Sequence, residues 1–284
     1  MAFEAALPTT PAAELLVVDR PGWIAGNVRT FSRLLEGTEL SRAEAKILAV
    51  EGGAFLGLLA RAVLAQYDPF RDVVVVVYPN LGPFASGDGL RWLLFHEVTH
   101  LAQFRSAPWL ADEITDVARS VLSVEGRGWA EEFAQRLRAA LPEVMDWLRG
   151  AIEGKPREGI SPLIDLLPEP QRSSVLRLHA MVTVLEGHAT YVTDLIGRRV
   201  LDDPDRVERH MRERRQRPPL VRLLEALAGI DMKRQQYVIG RTFCQAVWDA
   251  GGAEALAPVW RSADGMPSID EVRDPQRWLA RVAA

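Results

Sequence analysis

The sequence predicts a mainly helical fold with one small β element near residues 73–78. Three observations predict it. Apolar residues recur at helical spacing through most of the 284 residues. One run alone reads clearly as a strand, the five consecutive valines Val73 to Val77, extended by Tyr78 and ended by Pro79-Asn80. A content of 48% hydrophobic and 25% charged residues supports a sizeable core and excludes a disordered chain. There is no internal repeat. One domain over 1–284 is expected, with a loop-rich stretch near 150–170 as a candidate insertion.

In chain order, residues 1–13 read as a loose arm. Leu15 to Val18 is a short apolar run, either a strand or the start of a helix. Ile24, Val28, Phe31 and Leu34/Leu35 then keep helical spacing over 23–36, and Gly37 stops that helix. Ser41-Arg42-Ala43-Glu44 has the form of a capping box and opens a helix expected to run to about Gln66. Its Gly52, Gly53 and Gly57 suggest close helix–helix contact. Asp68-Pro69-Phe70 is a turn.

The valine strand is apolar on both faces, which favours a central, fully covered position. The competing expectation makes it an edge that lines a cleft and pairs with an added strand. The loop 80–89 carries three glycines and leads into a helix over 90–106, which Pro108 ends. Further helices are expected over 109–125, 171–201, Leu220 to Leu227 and Gln235 to Trp248, with Trp260 and Trp278 packing a helical tail. Residues 206–217 hold six Arg among acidic residues and read as a solvated helical face.

The net charge of −4 and the pI of about 5.8 give no case for nucleic acid or an anionic membrane as partner. No apolar stretch reaches the ~18–20 residues of a membrane span. The N-terminus lacks the basic and apolar regions of a signal peptide, so the expectation is a soluble, cytoplasmic protein. The one cysteine, Cys244, excludes an intrachain disulfide and a cysteine-based zinc site, and its apolar neighbours suggest a buried, inert thiol.

The chemistry concentrates in His96-Glu97-Val98-Thr99-His100. On a helix the two His lie about 40° apart around the axis and about 6 Å apart along it, so both imidazoles can grip one ion. Glu97 projects beside them, where a carboxylate can take a proton from an activated water. Leu93, Leu94, Phe95, Val98, Leu101 and Phe104 would bury the helix and hold the ligands rigidly. Two His and a Glu on a buried helix are costly without a metal.

A catalytic zinc usually has three protein ligands and an open position. Positions 103 and 106 are Gln and Ser, so the third ligand must come from elsewhere. The helix over 171–201 offers Glu186 and His188, about 200° apart and so unable to share one ion. Glu186 is the choice, because it lies in a polar stripe with His179, Thr183 and Thr190 on an otherwise apolar helix. His188 is the alternative.

Several motifs together carry a family resemblance: V-D-R-P-G-W-I, A-Q-Y-D-P-F, H-E-V-T-H-L-A-Q-F followed by P-W-L, L-E-G-H-A and K-R-Q-Q-Y-x-x-G. Over residues 15–282 the chain resembles the zincin-like metallohydrolases often labelled as associated with deazaflavin-coenzyme biosynthesis. The resemblance implies a zincin-like helical domain of the gluzincin type, with zinc on His96, His100 and Glu186 and Glu97 as general base. It also implies a metallopeptidase acting on a peptide or protein, whereas the residues by themselves indicate only metal-assisted hydrolysis. One departure stands out: where gluzincins often place an Asp one turn after the ligand Glu, this chain has Thr190, and the next Asp is Asp194. His188, Tyr191, Tyr237 and Arg241 are candidates for stabilising an oxyanion. The competing function is a zincin-shaped binding or scaffold protein with a structural zinc, against which the presence of Glu97 argues.

Overall fold

The computed structural model describes residues 13–34, 59–122, 162–169, 171–214 and 230–283, with isolated positions between 50 and 57 and between 135 and 146. The fold is mainly helical, with one small sheet. Strand β1 is Glu14–Val18, β2 is Ala65–Asp68 and β3 is Val73–Val77. The main helices are α1 (Arg20–Leu34), α2 (Gly87–Ser106), α3 (Trp109–Leu122), α4 (Gln171–Val200), α5 (Pro204–Arg214), α6 (Ile230–Arg261), α7 (Ile269–Arg273) and α8 (Pro275–Ala283). Helix α6 is broken at Gly251 and Gly252, and Gly252 has a φ of +64° that favours glycine. Among the described residues no helix is long and apolar enough to cross a membrane.

The sheet order is β1-β3-β2, with β1 parallel and β2 antiparallel to β3. All five valines of β3 are buried, and both of its edges are hydrogen-bonded. The edge expectation for 73–78 therefore fails and the central one holds. A strand apolar on both faces is stable only when both faces are covered. The sheet faces α1 on one side, where Trp23 packs with Val73, Val75 and Val77. On the other side Val74 packs with Leu101 of α2.

The helix expected to reach Gln66 stops short, because residues 65–68 are strand β2. Gln66 hydrogen-bonds Trp23 Nε1 on the α1 face, whereas Tyr67 packs with Leu101 and Phe104 on the α2 face. That alternation of period two is the strand's signature, hidden in the sequence by the helical stretch before it. The capping box at 41–44, the arm over 1–12, the helix over Leu220 to Leu227 and most of 127–161, including much of the candidate insertion, lie outside the described residues. Residues 162–165 form a single helical turn. Helix α5 shows the expected solvated face, with Arg206, Glu208 and Arg209 exposed and Val207 buried.

The main core lies between α4 and α6 and is closed by α3, α7 and α8. Met181, Val184, Phe243, Val247, Val259 and Trp278 are essentially without exposed surface. Cys244 is buried among them, and burial pushes its thiol pKa up, as expected of an inert thiol. Helices α4 and α6 touch backbone to backbone at Gly187 and Gly240. A Cβ on Gly187 would sit 2.1 Å from the carbonyl carbon of Gly240, and one on Gly240 would sit 2.0 Å from Thr183 O. Only glycine allows this approach, which fixes α4 immediately beside Glu186.

Candidate metal centre

Helix α2 starts at Gly87, whose φ of +61° turns the chain into it, and a Cβ on Gly89 would sit 3.0 Å from Phe84 Cα, so glycine lets the first turn pack closely there. Leu93 and Leu101 anchor the helix in separate apolar clusters, and His96, Glu97, Thr99 and Gln103 are all buried polar residues. His96 and His100, one turn apart, lie with their Nε2 atoms 3.2 Å from each other. From α4, ninety residues on in sequence, Glu186 brings Oε2 to 3.3 Å from His96 Nε2 and 3.6 Å from His100 Nε2. These three residues form the only His/Cys/Asp/Glu cluster of metal-holding geometry among the described residues.

The separations test whether a zinc fits. Tetrahedral bonds of about 2.0–2.1 Å place ligand atoms about 3.3 Å apart, and the three observed distances are 3.2, 3.3 and 3.6 Å. Two imidazole nitrogens and a carboxylate oxygen are also the donor chemistry that a catalytic zinc takes. A divalent metal therefore fits the cluster.

Electrostatics agree. Burial works against a charged His100, but the Glu186 and Glu97 carboxylates and Gln103 outweigh it and raise its pKa to about 9. Burial likewise works against a charged Glu186, but the two imidazoles hold its carboxyl well below the usual range. The cluster is thus a site whose carboxylates favour positive charge, as a proton on His100, and whose donor atoms could take a metal ion instead.

The remaining candidates take distinct places. Glu97 is buried, and its Oε2 accepts a 2.7 Å hydrogen bond from the Tyr67 backbone N–H of β2. His188 is fully buried against Trp260, ring centroids 4.7 Å apart, and its Nδ1 lies 2.9 Å from Gln103 Nε2. It points away from the cluster, as its 200° offset from Glu186 requires. Tyr191 is buried beside Trp248, and Arg241 is ion-paired to Asp194 at 2.8 Å, so both are engaged elsewhere. The side chain of Tyr237 lies outside the described residues. In the polar stripe, Thr183 donates to the His179 carbonyl one turn back, while the buried Thr190 hydroxyl has no hydrogen-bond partner.

Three contributors were not singled out from the sequence. Gln103 accepts at Oε1, 2.8 Å from His100 Nδ1; its position three residues after His100, on the same helical face, was the available signal. Trp92, one turn before His96, stacks on that imidazole at 5.8 Å and 15°, a relation its i, i+4 spacing also carries. The Tyr67 backbone N–H left no signal, because it depends on β2 being a strand. Beyond it, Tyr67 Oη donates to Asp72 Oδ1 at 2.8 Å, and Arg105 of α2 binds both Asp72 oxygens. Asp72 sits at φ +53° in the turn between β2 and β3, so this clamp ties the hairpin to α2. Arg105 holds the Asp72 carboxyl below its ordinary pKa, and burial together with Asp72 pushes the Tyr67 phenol up.

The profile of a family described as zincin-like metallopeptidase matches residues 4–279. A crystal structure from Chloroflexus aurantiacus, described as a candidate hydrolase with a novel fold, is similar at 26% identity and a TM-score of 0.65, over 99% of this chain and 85% of that one. No curated protein matches the chain.

Proposed function

From the chain's membership of the zincin-like metallopeptidase family, we propose that it is a zinc-dependent hydrolase that cleaves peptide bonds. In this reading His96, His100 and Glu186 hold the ion and Glu97 is the general base. The observation that carries it is the convergence of three donor atoms, from two helices far apart in sequence, at the spacing of a tetrahedral zinc. Three donors favour a catalytic site over a closed, four-ligand structural one. The description of the similar Chloroflexus protein as a hydrolase accords with this reading.

A bound zinc supplies a Lewis acid and lowers the pKa of water at its open position to about 7. Glu97 takes one proton from the attacking water. The water oxygen bonds to the scissile carbonyl carbon, the C–N bond breaks, and Glu97 returns the proton to the leaving amine. The Tyr67 N–H fixes one Glu97 oxygen, which leaves the other to exchange the proton.

Strand β2 provides the platform for an extended substrate. Val77 N donates to Leu64 O, so the antiparallel alternation turns the N–H and C=O of Ala65 and Tyr67 away from β3, on the outer edge where Glu97 lies. A peptide laid along that edge pairs as an added strand beside the general base through the Ala65 N–H and C=O, because the Tyr67 N–H is taken by Glu97. The test is metal analysis of the purified protein together with Glu97→Gln. One zinc in both proteins, with peptide cleavage in the wild type alone, is the expected result; a wild type that binds no zinc overturns the reading.

A further inference from the structure

Gln103 has no exposed surface and no place in the reaction described above, yet two of its three side-chain hydrogen bonds reach the metal centre, at His100 and at the residue before Glu186. The Leu185 carbonyl, immediately before Glu186, lies 2.9 Å from one amide atom of Gln103. A carbonyl oxygen only accepts, so that atom is the NH2 group, and the orientation of the amide is settled by chemistry. Oε1 then faces His100 Nδ1 at 2.8 Å. An amide oxygen cannot donate, so His100 carries a proton on Nδ1, and Nε2 is the nitrogen that faces His96 and Glu186 and is left to take the ion. The second N–H of the same amide points to His188 Nδ1 at 2.9 Å. His188 therefore accepts at Nδ1 and carries its proton on Nε2.

We propose that Gln103, held by Leu185 and His188, is a positioning residue that fixes the tautomer and ring plane of His100 and thereby sets zinc affinity. The inference rests on the zinc reading above. It also gives His188 a role: this side chain holds the amide that holds the ligand. One rigid planar group joins α2 to α4 at the two points that carry ligands, His100 and the residue before Glu186. The ligand geometry is therefore built before an ion arrives.

The experiment measures zinc dissociation by chelator competition in the full chain, for the wild type, Gln103→Met and a core control, Val247→Ala, which removes packing in the main cluster at a residue outside the metal-holding group. Gln103→Met keeps the volume and removes both hydrogen-bonding ends. Zinc affinity is expected to fall about 10–100-fold in Gln103→Met and to stay within about twofold of wild type in the control. Equal affinity in Gln103→Met and wild type overturns the inference and leaves the zinc reading intact, whereas a wild type without zinc affinity overturns both. A second measurement needs no variant: nitrogen-15 spectra of the imidazoles in the zinc-loaded wild type. A proton on His100 Nδ1 and on His188 Nε2 supports the relay, and the opposite tautomer on either ring overturns it.

Discussion

The Tyr67 backbone N–H donates to Glu97 Oε2 at 2.7 Å, across thirty residues of sequence. The contact joins the outer strand of the sheet to the carboxylate proposed as general base. Because the N–H of Tyr67 points away from β3, proline at that position removes the donor without cutting the ladder. Tyr67→Pro is expected to lower kcat about tenfold further than Tyr67→Ala, which loses the same ring but keeps the N–H. Equal kcat in the two variants, measured on a peptide library, would show that the contact does not position Glu97.

Glu97→Gln keeps the size of the side chain and removes its basicity. Zinc content should remain at one per chain, while turnover falls by about 10²–10⁴-fold, the range that proton transfer contributes. Undiminished turnover would rule out the general-base role.

The His96→Ala/His100→Ala double variant removes two of the three converging donors. Zinc should be absent after dialysis, with the helical circular dichroism retained. Zinc content unchanged from wild type would place the ion elsewhere.

Gly187 and Gly240 meet backbone to backbone. Gly187→Ala forces α4 and α6 apart and is expected to cost about 3 kcal/mol or more in urea unfolding, at the upper end of overpacking effects. It should also weaken zinc binding, because Glu186 is the adjoining residue. An unfolding midpoint equal to wild type would mean that the two helices do not cross as closely as described.

The pH dependence of the metal-free protein follows from His100, whose folded pKa of about 9 lies above its ordinary 6.5. Such a group contributes stability that is fully present below 6.5 and is lost as pH rises through about 9. Its partner Glu186 is held below its ordinary value, so its contribution is present above about 4.5 and is lost as pH falls further. The unfolding free energy of the metal-free protein, from urea titrations, should therefore decline between pH 6.5 and 9, by at most about 1.4 kcal/mol per pH unit. The zinc-loaded protein should lack that decline, since there the ion replaces the proton. A flat profile in the metal-free protein would remove the Glu186–His100 coupling.

The sequence by itself determined the mainly helical class, the valine strand and the pair of His on one helical face. Each follows from a local period: 3.6 residues per turn sets the His96 and His100 spacing, and a run of β-branched residues sets β3. Glu186 was also legible, because a carboxylate in a polar stripe on a buried helix needs a partner. Only the tertiary structure decided which atoms meet. The sequence left open whether β3 was an edge or the centre, and pairing with β1 and β2 put it in the centre. It hid β2 at the end of a helical stretch, and with it the Tyr67 N–H that holds Glu97. By residue type alone Gln103 reads as a non-ligand and His188 as a rival ligand, whereas the packing of α2 on α4 makes one hold the other. The physical reason is that periodicity fixes the face a side chain occupies, while a hydrogen bond between distant segments depends on the crossing of elements, set here by the approach of α4 to α6 at Gly187 and Gly240 and by α2 lying across α4.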